Sequence, residues 1–512
     1  MTQFNWRPAP FVSARWGTLA LALALGTPLH AEYGQSFGAA LAAGDFDNDG
    51  YFDVAVGAFG ANFGGLYDVG EVNVLEGMLI GLNPTAAITF HQGYGGVGET
   101  GETGDHFGST LVVGDFDHDG YDDLAVAASL EDRSGHTDSG VVQIFYGGAS
   151  GLSSTGAQVW DQNVSGVVGD VNTDEQFGAA MAVGDFDHDG YDDLAIGAPH
   201  YPGSGATGTG EVSILYGSSS GLSATGSQRY DQANAGISGD SESGDHFGEA
   251  LAAGDFDGDG YDDLAIGVPG EDLTGGADAG RVVILFGTSS GLNTTGSEGW
   301  NQDDSGVPGT AEVDDIFGAA LTAGDFDGDG YDDLAIGAPG DSVDGATEAG
   351  FAVVLTGSSG GLTSSGSVGF SENTSGIPDV AEDYEFLGNS LAAGDFNNDG
   401  RVDLALGVPW ETIGSEPLAG MAIEIPGSSS GLVASSSVAW HQDAAGVLGT
   451  ARGPEGFAYA MSVADINNDG YDDLVVGVPT EWSDASDADG AIHFFPGTST
   501  GLSATGDQFI TW

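Results

Sequence analysis

Seven times along the chain, aspartates recur at alternate positions of a nine-residue run that could hold a cation. The first run places Asp45, Asp47 and Asp49 at positions 1, 3 and 5, Tyr51 at position 7 and Asp53 at position 9. The next four are Asp115, Asp117, Asp119, Tyr121 and Asp123; Asp185, Asp187, Asp189, Tyr191 and Asp193; Asp255, Asp257, Asp259, Tyr261 and Asp263; and Asp325, Asp327, Asp329, Tyr331 and Asp333. The last two carry an amide at position 3: Asp395, Asn397, Asp399, Arg401 and Asp403, then Asp465, Asn467, Asp469, Tyr471 and Asp473. Position 6 is always glycine, from Gly50 to Gly470. A sharp turn there takes a positive φ, which glycine adopts without steric cost, and turns the carbonyl of position 7 toward the carboxylates. Oxygen-only donors suit Ca²⁺ far better than Zn²⁺ or Cu²⁺. An ion-free turn would leave the clustered carboxylates repelling one another. Up to seven Ca²⁺ sites are therefore expected, the sixth and seventh weaker because fewer ligand charges lower affinity.

These runs are not EF-hands, which need Glu at position 12. Position 12 here is Val56, Val126, Ile196, Ile266, Ile336, Leu406 or Val476. Position 9 supplies the closing carboxylate, and the loop is expected to join two strands.

Other chemistry is thinner. Gly-x-Ser-x-Gly at residues 217–221, 357–361, 427–431 and 497–501 has the form of a nucleophile elbow, but that device needs a strand-to-helix turn. Here it recurs at one place in a repeat, between strands, and reads as a turn. His118 and His188 sit at position 4 of two acidic runs, and His106 and His246 just before a Phe-Gly pair. No His-x-x-His or Glu-x-x-His pair marks a transition-metal site, and no catalytic residue is expected. An aromatic ladder, Phe90, Trp160, Tyr230, Trp300, Phe370 and Trp440 ending at Ile510, reads as packing between repeats, with stacking on sugar rings as the alternative.

The elements that hold the acidic runs follow from a period of 70 residues. A Phe-Gly-like pair begins each unit at Phe37, Phe107, Phe177, Phe247, Phe317, Leu387 and Phe457. Each unit has about four short stretches rich in Val, Ile, Leu and aromatics, separated by Gly, Ser, Asp and Pro, which is the strand-and-turn signature. In the third unit these are Ala179–Val183, Asp193–Gly197, Glu211–Tyr216 and Gln228–Tyr230. One four-stranded sheet cannot bury both faces, whereas a ring of seven can. The expectation is an all-β, seven-bladed propeller of antiparallel blades over residues 32–512, with small side chains such as Ala39–Ala43 converging on the axis. Solenoid coils are much shorter than this period, which disfavours an open stack. A monomeric ring follows.

The formal charge is −71, with no cysteine and no lysine. Disulfides and thiolate metal sites are excluded. Nucleic-acid binding depends on neutralising phosphates and is excluded too. Residues 1–31 read as a signal peptide: Arg7 and Arg15, then an apolar run from Trp16 to Leu25, with a cut after Ala31. That run is too short to span a bilayer, and no later segment is long enough. A secreted or cell-surface protein is expected.

The Phe-Gly pair, the aspartate loop and the following Gly-Ala-Pro, as in Phe177-Gly178, Asp185–Asp193 and Gly197-Ala198-Pro199, resemble the FG-GAP repeats of integrin α-chain propellers and many bacterial secreted proteins. The resemblance covers the whole chain after the leader. It implies the propeller fold and bound calcium; integrins carry such loops in only some blades, whereas all seven are complete here, a departure that suggests a stand-alone, calcium-stapled ring. Units one and two depart from it, with Gly57-Ala58-Phe59 and Ala127-Ala128-Ser129, so the bend after their second strand is expected to differ. No Arg-Gly-Asp tripeptide or inserted domain is present, so integrin partners do not carry over. The expected role is a non-enzymatic extracellular recognition or adhesion module for polysaccharide or surface protein. The alternatives are a polysaccharide lyase or hydrolase on this scaffold, or a structural surface protein. The irregular stretches Ala58–Tyr67, Trp410–Pro417 and Gly453–Tyr459 are the places for an asymmetric site.

Overall fold

A computed structural model of the protein describes residues 35–93, 100–203, 206–482 and 489–512. The leader expected at residues 1–31 lies outside them. Each repeat folds into one four-stranded antiparallel sheet with its strands in chain order. In the first blade the inner strand is Ala40–Gly44, followed by Asp53–Ala58, Glu71–Met78 and the outer strand Gly81–Phe90. The second strand is buried at every position in every blade. It reads as a continuous apolar run because neighbouring blades cover both of its faces.

The ring closes without exchanging a strand. The seventh sheet is built from Met461–Ala464, Asp473–Val478, Ala491–Phe495 and Gln508–Thr511, and its inner strand packs beside Ala40–Gly44. The Phe37 N–H donates to the Asp489 carbonyl at 3.0 Å, and Phe37 stacks on Trp512 with ring centroids 5.3 Å apart. Equivalent bonds cross the other seams, as from Phe107 N–H to the Val69 carbonyl at 2.9 Å. This explains the Phe-Gly pair. The phenylalanine fills the seam, and a Cβ on Gly38 would lie 2.5 Å from the Ala491 carbonyl oxygen.

Two expectations need correction. The outer strand of the third blade runs over Ser223–Tyr230, starting earlier than Gln228. Its first half is Ser-Ala-Thr-Gly, small and polar because it faces solvent, so composition hides it. The second strands of blades one and two end at Ala58 and Ala128, in register with Ala198 and Ala338 in the blades that carry proline. The missing proline does not move the bend, which packing against the next blade sets.

The ladder residues Phe90, Trp160, Tyr230, Phe370, Trp440 and Ile510 are all buried. Phe90 packs on Phe145 at 4.8 Å, and Trp440 on Phe495 at 5.3 Å, both across seams. These six hold blade to blade and offer no face to a sugar, while Trp300 is only partly buried, its indole N–H donating to Glu298 at 2.9 Å.

With so many surface carboxylates, unfolding midpoints are expected to be higher in molar NaCl than in dilute buffer at the same calcium concentration, because salt shortens the range of their repulsion to about 3 Å. Equal midpoints in the two buffers would contradict this.

Candidate functional site: seven acidic loops and the seams between them

Each acidic run joins the inner strand to the second strand of its blade, so all seven loops lie at one end of the ring. In the first, Asp45 accepts the Asp49 N–H through Oδ1 at 3.0 Å and the Gly50 N–H through Oδ2 at 2.9 Å. Asp49 Oδ1 accepts the Tyr51 N–H at 2.9 Å. The third loop repeats this at 3.0, 3.0 and 3.1 Å. The position-6 glycines have φ from 81° to 92°. Position 4 is left-handed too, with Asn48 at 53°, His118 at 54°, His188 at 55° and Gly258 at 72°. Asn, His and Gly are the residues that tolerate that region. His118 and His188 are thus turn residues, packed edge-on against Tyr191 and Tyr261 of the next blade at 5.7 and 5.5 Å.

The loops gather Asp45, Asp47 and Asp49 in blade one, Asp115, Asp117 and Asp123 in blade two, and Asp185, Asp187 and Asp193 in blade three, with ligand oxygens all within 4.8 Å of one another. Asp117 Oδ1 and Asp187 Oδ1 are shielded from solvent and have no hydrogen-bond partner. A buried acceptor without a donor is costly, and a hard cation at the centre would satisfy it. The donor set therefore fits such an ion.

Position 9 does two jobs. Asp193 accepts the Phe186 N–H of its own loop at 3.0 Å and the Gly217 N–H beyond the third strand at 2.8 Å. It is buried, as are its counterparts. Burial, with the neighbouring aspartates adding to it, pushes Asp123, Asp193 and Asp263 up to about 8. The same causes take Asp53 and Asp333 to about 7. In blade six the Asn397 amide donates to both oxygens of Asp403, at 3.3 and 3.1 Å. In blade seven Asn467 donates to Asp473 at 3.3 Å. The amide proton stands where the other loops have only acceptors. Arg401 adds a cation 3.6 Å from Asp399 in the sixth loop.

Position 8 carries a function that sequence reasoning passed over. Asp122 Oδ2 accepts the Asp45 N–H of the preceding blade at 2.8 Å, a contact 77 residues apart. Asp192, Asp262, Asp332 and Asp472 do the same for Asp115, Asp185, Asp255 and Asp395 at 2.8, 2.9, 3.1 and 2.8 Å. Each loop is tied to the next, so ordering one supports its neighbour. The carboxylate link is missing where Val402 and Phe52 occupy position 8, although the Val402 N–H still donates to the Asp325 carbonyl at 3.1 Å.

The opposite end of the ring carries the irregular stretches. There Gln92 donates to Glu131 at 2.6 Å, Gln232 to Glu271 at 2.6 Å, Gln302 to Asp341 at 2.8 Å and Gln442 to Glu481 at 2.7 Å, each across a seam. In the seam of blades five and six the glutamine is replaced by Glu372, which meets Glu385 and Glu411. The three are 2%, 1% and 2% exposed, and neither Glu372 oxygen has a hydrogen-bond donor. At the same end Trp410 packs on Tyr459 at 6.4 Å. Across the seam of blades three and four, His200, His246 and Glu249 come together.

Comparison with known proteins agrees with this architecture. The chain matches the FG-GAP repeat at residues 37–75, 107–145, 177–215, 247–285, 317–355, 387–420 and 457–495, just over half of its length. It is similar to phosphatidylinositol-glycan-specific phospholipase D of Bos taurus, 32% identical over 243 residues that are 47% of this chain and 27% of the relative. It is similar to integrin alpha-PS2 of Drosophila melanogaster, 35% identical over 180 residues that are 34% of this chain and 11% of that one. The chain thus spans about a quarter or less of either relative. A solved exotype rhamnogalacturonan lyase, YesX, overlaps 94% of this chain and 75% of its own at 12% identity, with a TM-score of 0.36 that carries no functional argument. The repeat in every blade, with integrin alpha chains among its relatives, places this chain in the FG-GAP repeat family.

Proposed function

We propose that the protein is a secreted propeller whose acidic loops bind Ca²⁺, and that it acts as an extracellular recognition module for a surface protein or polysaccharide. The ions staple one end of the ring, and the other end does the binding. The observation that carries this is the distribution of exposed large apolar side chains. Among the described residues eleven stand out, and eight of them, Phe63, Leu66, Tyr67, Val168, Val313, Val380, Leu448 and Trp482, lie on loops at the end opposite the acidic loops. Loops on a rigid scaffold are where binding residues concentrate, and exposed apolar groups gathered on one face mark an interaction surface. Phe63, stacked on His91 at 4.0 Å, and Tyr67, 61% exposed, are the leading contacts.

A glycan array and an adhesion assay on protein-coated surfaces, each run with calcium and with chelator, test this reading. Calcium-dependent binding that falls at least tenfold in a Phe63→Ser/Tyr67→Ser double variant with an unchanged unfolding midpoint supports it. Binding untouched by that variant, or turnover of a polysaccharide panel, would sink it.

The sixth and seventh loops are expected to bind calcium more weakly. Calorimetric titration of the metal-free protein should resolve two classes, and Asn397→Asp should tighten the sixth site roughly tenfold, because ligand charge sets affinity. A single class, unchanged by that substitution, would contradict the assignment.

A further inference from the structure

We propose that His200, His246 and Glu249 form a binding site for a divalent transition metal of the zinc class, distinct from the seven acidic loops. Their candidate ligand atoms all lie within 4.8 Å of one another. His246 Nδ1 stands 3.8 Å from Glu249 Oε2, and the two imidazoles are stacked at 4.7 Å with 20° between their planes. Ligands at about 2.0–2.2 Å around a tetrahedral zinc lie roughly 3.3–3.6 Å apart, so side-chain adjustments of about an ångström would close the site.

The three residues come from two blades. His200 follows the second strand of blade three, Asp193–Ala198, and His246 and Glu249 precede the inner strand of blade four, Leu251–Gly254. The site sits in the seam at the end away from the acidic loops. The His246 N–H donates to the Gly208 carbonyl at 3.0 Å. A Cβ on Gly208 would come within 3.2 Å of the His246 ring, so that glycine leaves the imidazole its room.

His200 and Glu249 depart from the residues that recur at their repeat positions. Where blade three has His200, blades one, four and five have Gly60, Gly270 and Gly340. Where blade four has Glu249, blades one, three and five have Ala39, Ala179 and Ala319. At the His246 position the chain also has Ser36, His106, Gln176, Ile316, Phe386 and Gly456. Blades two, six and seven carry Leu130, Trp410 and Thr480 at the first of these positions and Ser109, Asn389 and Tyr459 at the second, so only the seam of blades three and four pairs two imidazoles with a carboxylate there. Glu249 Oε2 is shielded from solvent and has no hydrogen-bond partner, so the fold holds an acceptor ready for a ligand that is not a protein donor. Two imidazoles and a carboxylate suit zinc, whereas the oxygen-only loops suit calcium. Three protein ligands also leave a fourth position for water or for a donor atom of a bound molecule.

The test is calorimetric titration of the untagged protein with Zn²⁺ in millimolar calcium, which keeps the acidic loops filled, paired with the visible absorption of added Co²⁺. One saturable site per chain is expected, with a Co²⁺ band showing nitrogen ligation. His200→Gly and Glu249→Ala put back residues that other blades carry at those positions, and unfolding midpoints in calcium check that both stay folded. Each is expected to weaken zinc binding by about a hundredfold and to abolish the Co²⁺ band, since even partners of the ligands are commonly worth ten- to hundredfold in affinity. Absence of saturable zinc binding in wild type would overturn the proposal. So would binding that survives intact in either folded variant.

Discussion

Excess chelator is expected to lower the unfolding midpoint by roughly 20 °C or more, or to leave the ring unfolded at room temperature. A ligand that binds only the folded state at a hundred times its Kd adds about 2.7 kcal/mol. Five loops with full carboxylate sets would together match or exceed the whole stability of an ordinary domain, about 5–15 kcal/mol. Removing the ions does more than subtract this term. It leaves in each loop a buried position-9 carboxyl that resists ionisation beside aspartates that have lost their common counter-charge. Links such as Asp122 to Asp45 at 2.8 Å and Asp262 to Asp185 at 2.9 Å make the loss cooperative from blade to blade. No disulfide takes up the load, because the chain has no cysteine. Thermal unfolding followed by circular dichroism, with and without EDTA, reads the effect. A midpoint that chelation leaves in place would remove the calcium part of the account.

The second large effect runs the other way: Glu372→Gln is expected to stabilise the protein. The substitution restores the residue found at Gln302 and Gln442, whose amides donate to the carboxylate across their seams. A hydrogen bond to a charged partner contributes about 1.5–3 kcal/mol, and one of three mutually repelling carboxyls disappears. The variant is also expected to flatten the pH dependence. Burial, then the neighbouring Glu385 and Glu411, push the Glu372 carboxyl far above its ordinary value of 4.5. Burial raises Glu411 as well. The unfolded chain ionises these groups freely, so folding takes up protons and stability falls as pH rises above the ordinary glutamate range. Wild type should therefore lose stability between pH 5 and pH 8 more steeply than the variant. A lower midpoint for Glu372→Gln, or parallel pH profiles, would show that the cluster is compensated in some other way.

Much of the fold could be read in the sequence because repetition makes each blade a copy of the same solution. The 70-residue period set the blades, and the alternation of aspartates around a glycine set the loops. What stayed hidden was what the period itself conceals. Asp122, Asp192 and Asp262 look like members of their own loops, but they serve the loop of the preceding blade, and no local spacing reveals a bond between neighbours in a ring. His118 and His188 read as loop residues without a catalytic role, and their backbone angles show why a turn selects them. Single departures from the period were the better signal. Glu372, His200 and Glu249 each break it, and each lies in a seam where the structure gives it partners from the adjoining blade.

The acidic loops are expected to be ion sites. Anomalous diffraction from crystals grown in millimolar calcium tests it most directly. A calcium peak is expected among positions 1, 3, 5 and 9 of each loop in blades one to five, with weaker peaks beside Asn397 and Asn467. Ordered loops with no anomalous density in the first five blades would contradict it.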